Sequence, residues 1–150
     1  MKYALNAETK ITMNEGRYLK FIYRKQHEEF SRVRTTTIAK SIRVQPATVT
    51  EMLQKLAKKG LLKYKRYYGA GLTEKGVVEA RKILRKHRLL EVLFVRFLNY
   101  DAQNACEEAS KLDHHVSKDL VNAICRTYRH PETCPCNKAI FSNEECKEGY

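Results

Sequence analysis

Residues 35–66, TTTIAKSIRVQPATVTEMLQKLAKKGLLKYKR, carry the reading on which the fold turns. Proline lacks the N–H that has no partner in the first turn of a helix anyway, so a helix is predicted to begin at Pro46. It runs to about Lys59 and stops at Gly60, with an apolar stripe of Val49, Met52, Leu53 and Leu56. Gln45, Ala47, Thr48, Thr50, Glu51, Gln54 and Lys55 are left on its other faces. Upstream, Thr35 to Ser41 reads as a short helix capped by an early threonine, with Ile38 and Ala39 turned inward. Downstream, Leu61–Arg66 and Tyr67–Leu72 alternate in polarity, and glycines permit a bend between them. A β-hairpin with a basic tip is the expected result.

Working outward, Tyr18, Leu19, Ile22 and Tyr23 recur at helical spacing between Asn14 and about Gln26. On the other side, Thr73-Glu74-Lys75-Gly76 opens a long helix to about Leu98, with Thr73 as its cap. A boundary falls near Asn99 to Gln103. Two further helices are expected from about Asn104 to His115 and from Ser117 to Arg129, followed by a loop-like, cysteine-bearing tail from His130-Pro131 onward. The fold class is therefore mainly α: a winged helix-turn-helix over residues 1–76 and a helical domain over residues 77–150.

Charge divides the chain. Residues 1–98 hold 23 Lys and Arg against 8 Asp and Glu, whereas residues 99–150 hold 6 against 9. A basic half of this kind suits a polyanion, because each neutralised phosphate releases counterions. In the winged arrangement the helix from Pro46 enters the major groove. Gln45, Thr48, Thr50, Glu51 and Gln54 can then hydrogen-bond base edges or phosphates, and Ala47 can touch thymine methyls. Arg34, Thr35, Thr36, Arg43, Lys55, Lys63, Lys65 and Arg66 are placed to hold phosphates. The same fold can serve as a protein-interaction module, but the concentration of positive charge argues against that use.

No apolar run approaches the roughly 18 residues that span a bilayer, and Met1 to Asn14 has no apolar core of a secretory signal, so no membrane is involved and a cytoplasmic protein is expected. Neither a nucleophile paired with a base, nor a glycine-rich phosphate loop, nor a zinc-hydrolase motif is present to suggest an enzyme.

Five stretches together carry a family resemblance: RYLKFIY (17–23), VQPATVTEML (44–53), LTEKG (72–76), KHRLLE (86–91) and EASKLDHHVS (108–117). Through them the chain resembles the DtxR/MntR family of metal-dependent transcriptional regulators from about Asn14 to Ile140. The resemblance implies a homodimer joined by the helices after the wing, a palindromic double-stranded operator DNA, and a divalent metal that favours the DNA-competent geometry. It points to the two-domain type, without the SH3-like domain of some relatives.

The metal ligands that the resemblance implies transfer only in part. Arg17 and Lys20 stand where family members carry ligating residues, and Ser110 stands where Cys or Glu ligates. His87 and Glu91 match, four residues apart on one helical face. Cys106 stands where some members have His, and Asp113 and His114 match an acidic-His pair. The tail segment HPETCPC (130–136) resembles the HP-x-x-CPHG of some members, with Cys136 in place of the His. The expected site is a cluster of His87, Glu91, Cys106, Cys134 and Cys136, with Asp113 and His114 as a second, weakened one. Its thiolates favour zinc, iron or Fe-S chemistry over manganese, and Fe2+ is the expected metal, with Zn2+ or Mn2+ as alternatives. A redox-sensing or Fe-S regulator is the competing reading, motivated by Cys106, Cys134 and Cys136. Cys125 is expected in the core, and Cys146 could complete a cysteine-rich site.

Overall fold

The computed structural model describes residues 9–147, which divide into two compact units within one long helix, between Val77 and Val78. The first unit opens with α1 (Met13–Tyr23), which continues as a π-helical turn (Arg24–Glu28). A capping box starts α1: the Glu15 N–H donates to Thr12 Oγ1 at 3.2 Å, and the Thr12 N–H donates to Glu15 Oε2 at 2.9 Å. Then come α2 (Thr35–Ile42) and α3 (Pro46–Lys58). Pro46 stands in the first turn of α3, and Gly60, at φ +73°, closes it as expected. Tyr18, Leu19, Ile22, Ile38, Val49, Leu53, Leu56 and Leu61 form the buried interior of this unit, while Met52 is half-buried.

Two local expectations are corrected. The residue that caps α2 is Arg34, and no side chain caps it, because all three threonines already lie inside the helix. The hairpin of β1 (Leu62–Lys65) and β2 (Gly69–Leu72) turns at Arg66 to Tyr68, with Tyr67 at φ 68°, and Gly69 and Gly71 lie in the second strand instead. Gly69 is needed there for a different reason. Ala70 N–H donates to Val33 O at 3.0 Å, and a Cβ on Gly69 would lie 2.3 Å from that same oxygen.

Thr73 caps α4 (Glu74–Arg96): the Gly76 N–H donates to Thr73 Oγ1 at 3.1 Å. In the second unit, α5 (Ala102–Leu112) and α6 (Lys118–Thr127) start on Asp101 and Ser117 caps. Their apolar faces meet α4 through Leu89, Leu90, Phe94, Ala105, Ala109, Val121 and Ile124. The tail, expected to be loop-like, is ordered by α4 instead. Arg88 Nη1 donates to Ala139 O at 2.7 Å and Arg85 Nε to Phe141 O at 3.0 Å, and both arginines are almost fully buried. A Thr133–Ala139 bridge and a final turn, α7 (Glu144–Lys147), follow from that anchoring. Among the described residues no helix is long and apolar enough to cross a membrane.

Gly76 provides a test of the first unit. A Cβ there would sit 1.8 Å from Leu61 O, which already accepts from the Thr73 N–H at 3.1 Å. Gly76→Ala should lower stability to chemical denaturation by about 1–3 kcal/mol. An unchanged midpoint and slope would show that the α3–β1 link yields freely.

Candidate functional site

His87 lies on α4 with none of its surface exposed, and both of its ring nitrogens face carboxylates. Nε2 is 2.7 Å from Glu91 Oε1, one turn along the same helix, and Nδ1 is 3.0 Å from Asp113 Oδ2 at the end of α5. A neutral imidazole has a single N–H to donate, so it can donate to only one of the two carboxylates and presents its other nitrogen as an acceptor or metal ligand. Cys106 of α5 brings its Sγ to 3.4 Å from the same Nε2. The ligand atoms of His87, Glu91 and Cys106 all lie within 4.8 Å of one another. Cys134, buried in the tail, completes the surroundings of the Glu91 carboxylate.

The electrostatics of this pocket follow from burial. Desolvation would raise the Glu91 carboxyl, but the hydrogen bond and charge of His87, helped by the Cys134 and Cys106 thiols, hold it below the usual carboxylate range. Burial and the adjacent Glu91 charge push the Cys134 thiol up to about 11, against the pull of the Lys138 and Cys136 N–H groups. One Glu91 oxygen, Oε2, is buried with no hydrogen-bond partner. A buried acceptor oxygen that no nitrogen or oxygen donor reaches, beside an imidazole and two weakly donating thiols, is what a divalent cation would satisfy, and the residues present fit such an ion.

The remaining predicted ligands lie elsewhere. Asp113, expected beside His114 in a second site, faces the His87 ring. It accepts from the far nitrogen of His87, the place of a carboxylate that orients a metal-binding histidine. His114 packs edge-on against His115 at 5.4 Å between centroids. Cys136 is exposed at the tip of the Cys134–Lys138 turn, its Sγ 3.9 Å from Ala102 O, because two residues of chain in that turn carry it away from Cys134. Ser110 donates to Cys106 O, and Arg17 Nη2 donates to Ile42 O at 3.2 Å; Lys20 is buried within α1. A further group, Cys125, His130 and Cys146, was not assembled from the spacing.

On the first unit, Gln45, Ala47, Thr48, Glu51 and Lys55 are exposed along α3, and Arg34, Thr36 and Arg43 are exposed beside it. Thr35 and Thr50 are half-buried, and Thr50 Oγ1 donates back to Pro46 O at 3.1 Å while its lone pairs stay available. Lys55 is partly committed: it and Lys59 lie 3.2 and 2.8 Å from the oxygens of Glu15, which is fully buried. Lys63, Lys65 and Arg66 are exposed on the wing. Two neighbours there were not singled out beforehand: Lys65 Nζ lies 4.5 Å over the Tyr68 ring and Arg66 over Tyr67 at 5.3 Å. Each exposed tyrosine offers a flat face beside a cation.

The pocket yields a paired test by calorimetry in buffers of different ionisation enthalpy. Because the Cys134 thiol keeps its proton at neutral pH, metal uptake should release it, affinity should rise with pH, and Cys134→Ser should release about one proton fewer. Asp113→Asn should weaken metal binding about 10–100-fold while leaving the stoichiometry intact. Loss of a full equivalent in that variant would make Asp113 a ligand and overturn its orienting role.

Comparison with known proteins follows the same division of the chain. Residues 10–70 match the family described as "Iron dependent repressor, N-terminal DNA binding domain", and residues 73–142 match "Iron dependent repressor, metal binding and dimerisation domain". An HTH-type transcriptional regulator of Methanocaldococcus jannaschii is 40% identical over 107 residues, covering 71% of this chain and 86% of that protein. The MntR regulator of Shouchella clausii is 36% identical over 97 residues, covering 65% of this chain and 67% of that protein. Among solved structures, the manganese regulator SloR superposes with a TM-score of 0.76 at 35% identity, over 88% of this chain and 61% of that one. A manganese-dependent transcriptional repressor in complex with manganese gives 0.81 at 32% identity, over 87% and 59%. This chain thus spans about three-fifths of the length of those two structures. The chain belongs to the iron-dependent repressor family, the metal-dependent transcriptional regulators of DtxR/MntR type.

Proposed function

We propose that this regulator is a homodimeric repressor that binds a palindromic operator in the cytoplasm when iron(II) occupies the pocket around His87. The observation that carries the reading is the orphaned Glu91 Oε2, buried beside His87, Cys106 and Cys134. His87 would offer Nε2 and Glu91 its carboxylate, with Cys106 and Cys134 as thiolates and Asp113 fixing the ring through Nδ1. When bound, the cation would supply the positive charge that the Glu91 and Asp113 carboxylates face across the His87 ring. Two sulfurs, a nitrogen and an oxygen suit iron(II) or zinc(II) better than manganese(II), and cellular supply then favours iron.

Dimerisation finds support in the apolar residues that the second unit leaves exposed, among them Phe97, Leu98, Leu112 and Leu120. Two copies related by a two-fold axis would present two copies of α3 to an inverted repeat. Metal and operator must then tighten each other by one common factor.

Duplexes selected from a random library by the anaerobic, iron-loaded full chain should carry an inverted repeat. Chelation, or Glu91→Gln, should weaken their binding about 5–150-fold. Operator affinity that is unchanged after verified loss of the metal would defeat the metal-responsive reading, and absence of any duplex binding would defeat the DNA-binding one. Lys65→Ala and Arg66→Ala should each lower the salt slope of binding by about 1, without changing which sequence is preferred.

A further inference from the structure

The second ligand cluster shares no residue with the pocket around His87. Cys125 lies on α6, His130 just beyond its end, and Cys146 on α7. Both sulfurs face one ring nitrogen: Cys125 Sγ is 3.4 Å and Cys146 Sγ 3.7 Å from His130 Nδ1. The three ligand atoms lie within 4.8 Å of one another. Both cysteines are buried and neither is in a disulfide.

The backbone is bent to bring these groups together. Arg129 and His130 take successive left-handed conformations, φ 57° and 53°, and the His130 N–H donates to Cys125 O at 2.8 Å. Two consecutive non-glycine residues in that region are costly, and the bend carries the imidazole back to Cys125. Asn122, one turn before Cys125 and only 5% exposed, has a buried amide oxygen with no hydrogen-bond partner, while its backbone oxygen lies 3.6 Å from Cys146 Sγ. Burial and the neighbouring Cys146 push the Cys125 thiol up, and Arg85 beside it opposes them only in part.

We infer that Cys125, His130 and Cys146 form a second metal site, a structural zinc(II) site that ties α7 to the end of α6. Two thiolates and an imidazole are three members of a tetrahedral zinc set, and the fourth position is left to water. Binding releases the two thiol protons, and the two sulfur charges neutralise the dication. The site has a structural task, because α7 is a single turn of four residues too short to hold itself, and Cys146 is its one buried residue.

The test uses the full-length chain under reducing conditions with cobalt(II) as the optical probe. In a Cys106→Ser/Cys134→Ser/Cys136→Ser background the only sulfur ligands left are Cys125 and Cys146. That protein should still take up about one cobalt per chain with thiolate charge-transfer absorption in the near ultraviolet, and zinc should displace it. Adding Cys125→Ser or Cys146→Ser should abolish the band. A folded background protein with no such band, or a mass that shows a Cys125–Cys146 disulfide persisting in reductant, would overturn the site. Should the triple background fail to fold, zinc content decides in the otherwise intact chain: Cys125→Ser/Cys146→Ser should carry about one equivalent less than the parent, and equal content would overturn the site.

Discussion

Burying His87 between Glu91 and Asp113 removes three ionisable groups from water, and that cost, several kcal/mol for an uncompensated ion, is met only if each proton and lone pair finds a partner. The requirement fixes much of the second unit. It sets the rotation of α4, since His87 and Glu91 must share one face, and it brings the end of α5 to the back of the imidazole. It also explains why Cys134 is drawn under the helix while Cys136 is left in solvent. One acceptor, Glu91 Oε2, stays unmatched, and the proposed ligand-binding role grows from that remainder.

The first unit solves a similar problem in the opposite way. Glu15 is fully buried at the start of α1, where Lys55 and Lys59 of α3 reach it and the Thr12 N–H donates to its Oε2. Burial alone would raise this carboxyl, yet the two lysines and the backbone donor hold it below the ordinary range. These two ion pairs hold α3 against α1 while leaving its polar face to solvent. The basic wing adds two cations lying over tyrosine rings, where they are held near the surface without being neutralised.

Much of this was legible because it is local. Pro46 and Gly60 bracket α3 by backbone chemistry, Thr73 caps α4, and the stripe of Val49, Leu53 and Leu56 follows from helical periodicity. The failures are non-local. Gly69 serves the approach of Val33 rather than the hairpin bend, and no local pattern announces a contact with a segment more than thirty residues earlier. The tail reads as a loop because its order comes from Arg85 and Arg88, charged residues that a polarity pattern places outside. In the site, the i, i+4 pair of His87 and Glu91 was readable, whereas the contact of Asp113 with the His87 ring was not, since spacing does not say which nitrogen of a histidine a carboxylate meets. His130, Cys125 and Cys146 are joined only by the left-handed end of α6, which no residue type there signals.

The most direct measurement is anomalous diffraction from crystals of the full chain loaded anaerobically with iron. The account predicts an anomalous peak within coordination distance of His87 Nε2, Glu91, Cys106 and Cys134, with Asp113 remaining on Nδ1 behind the ring. A peak at Asp113 and His114 with the His87 pocket empty would contradict it.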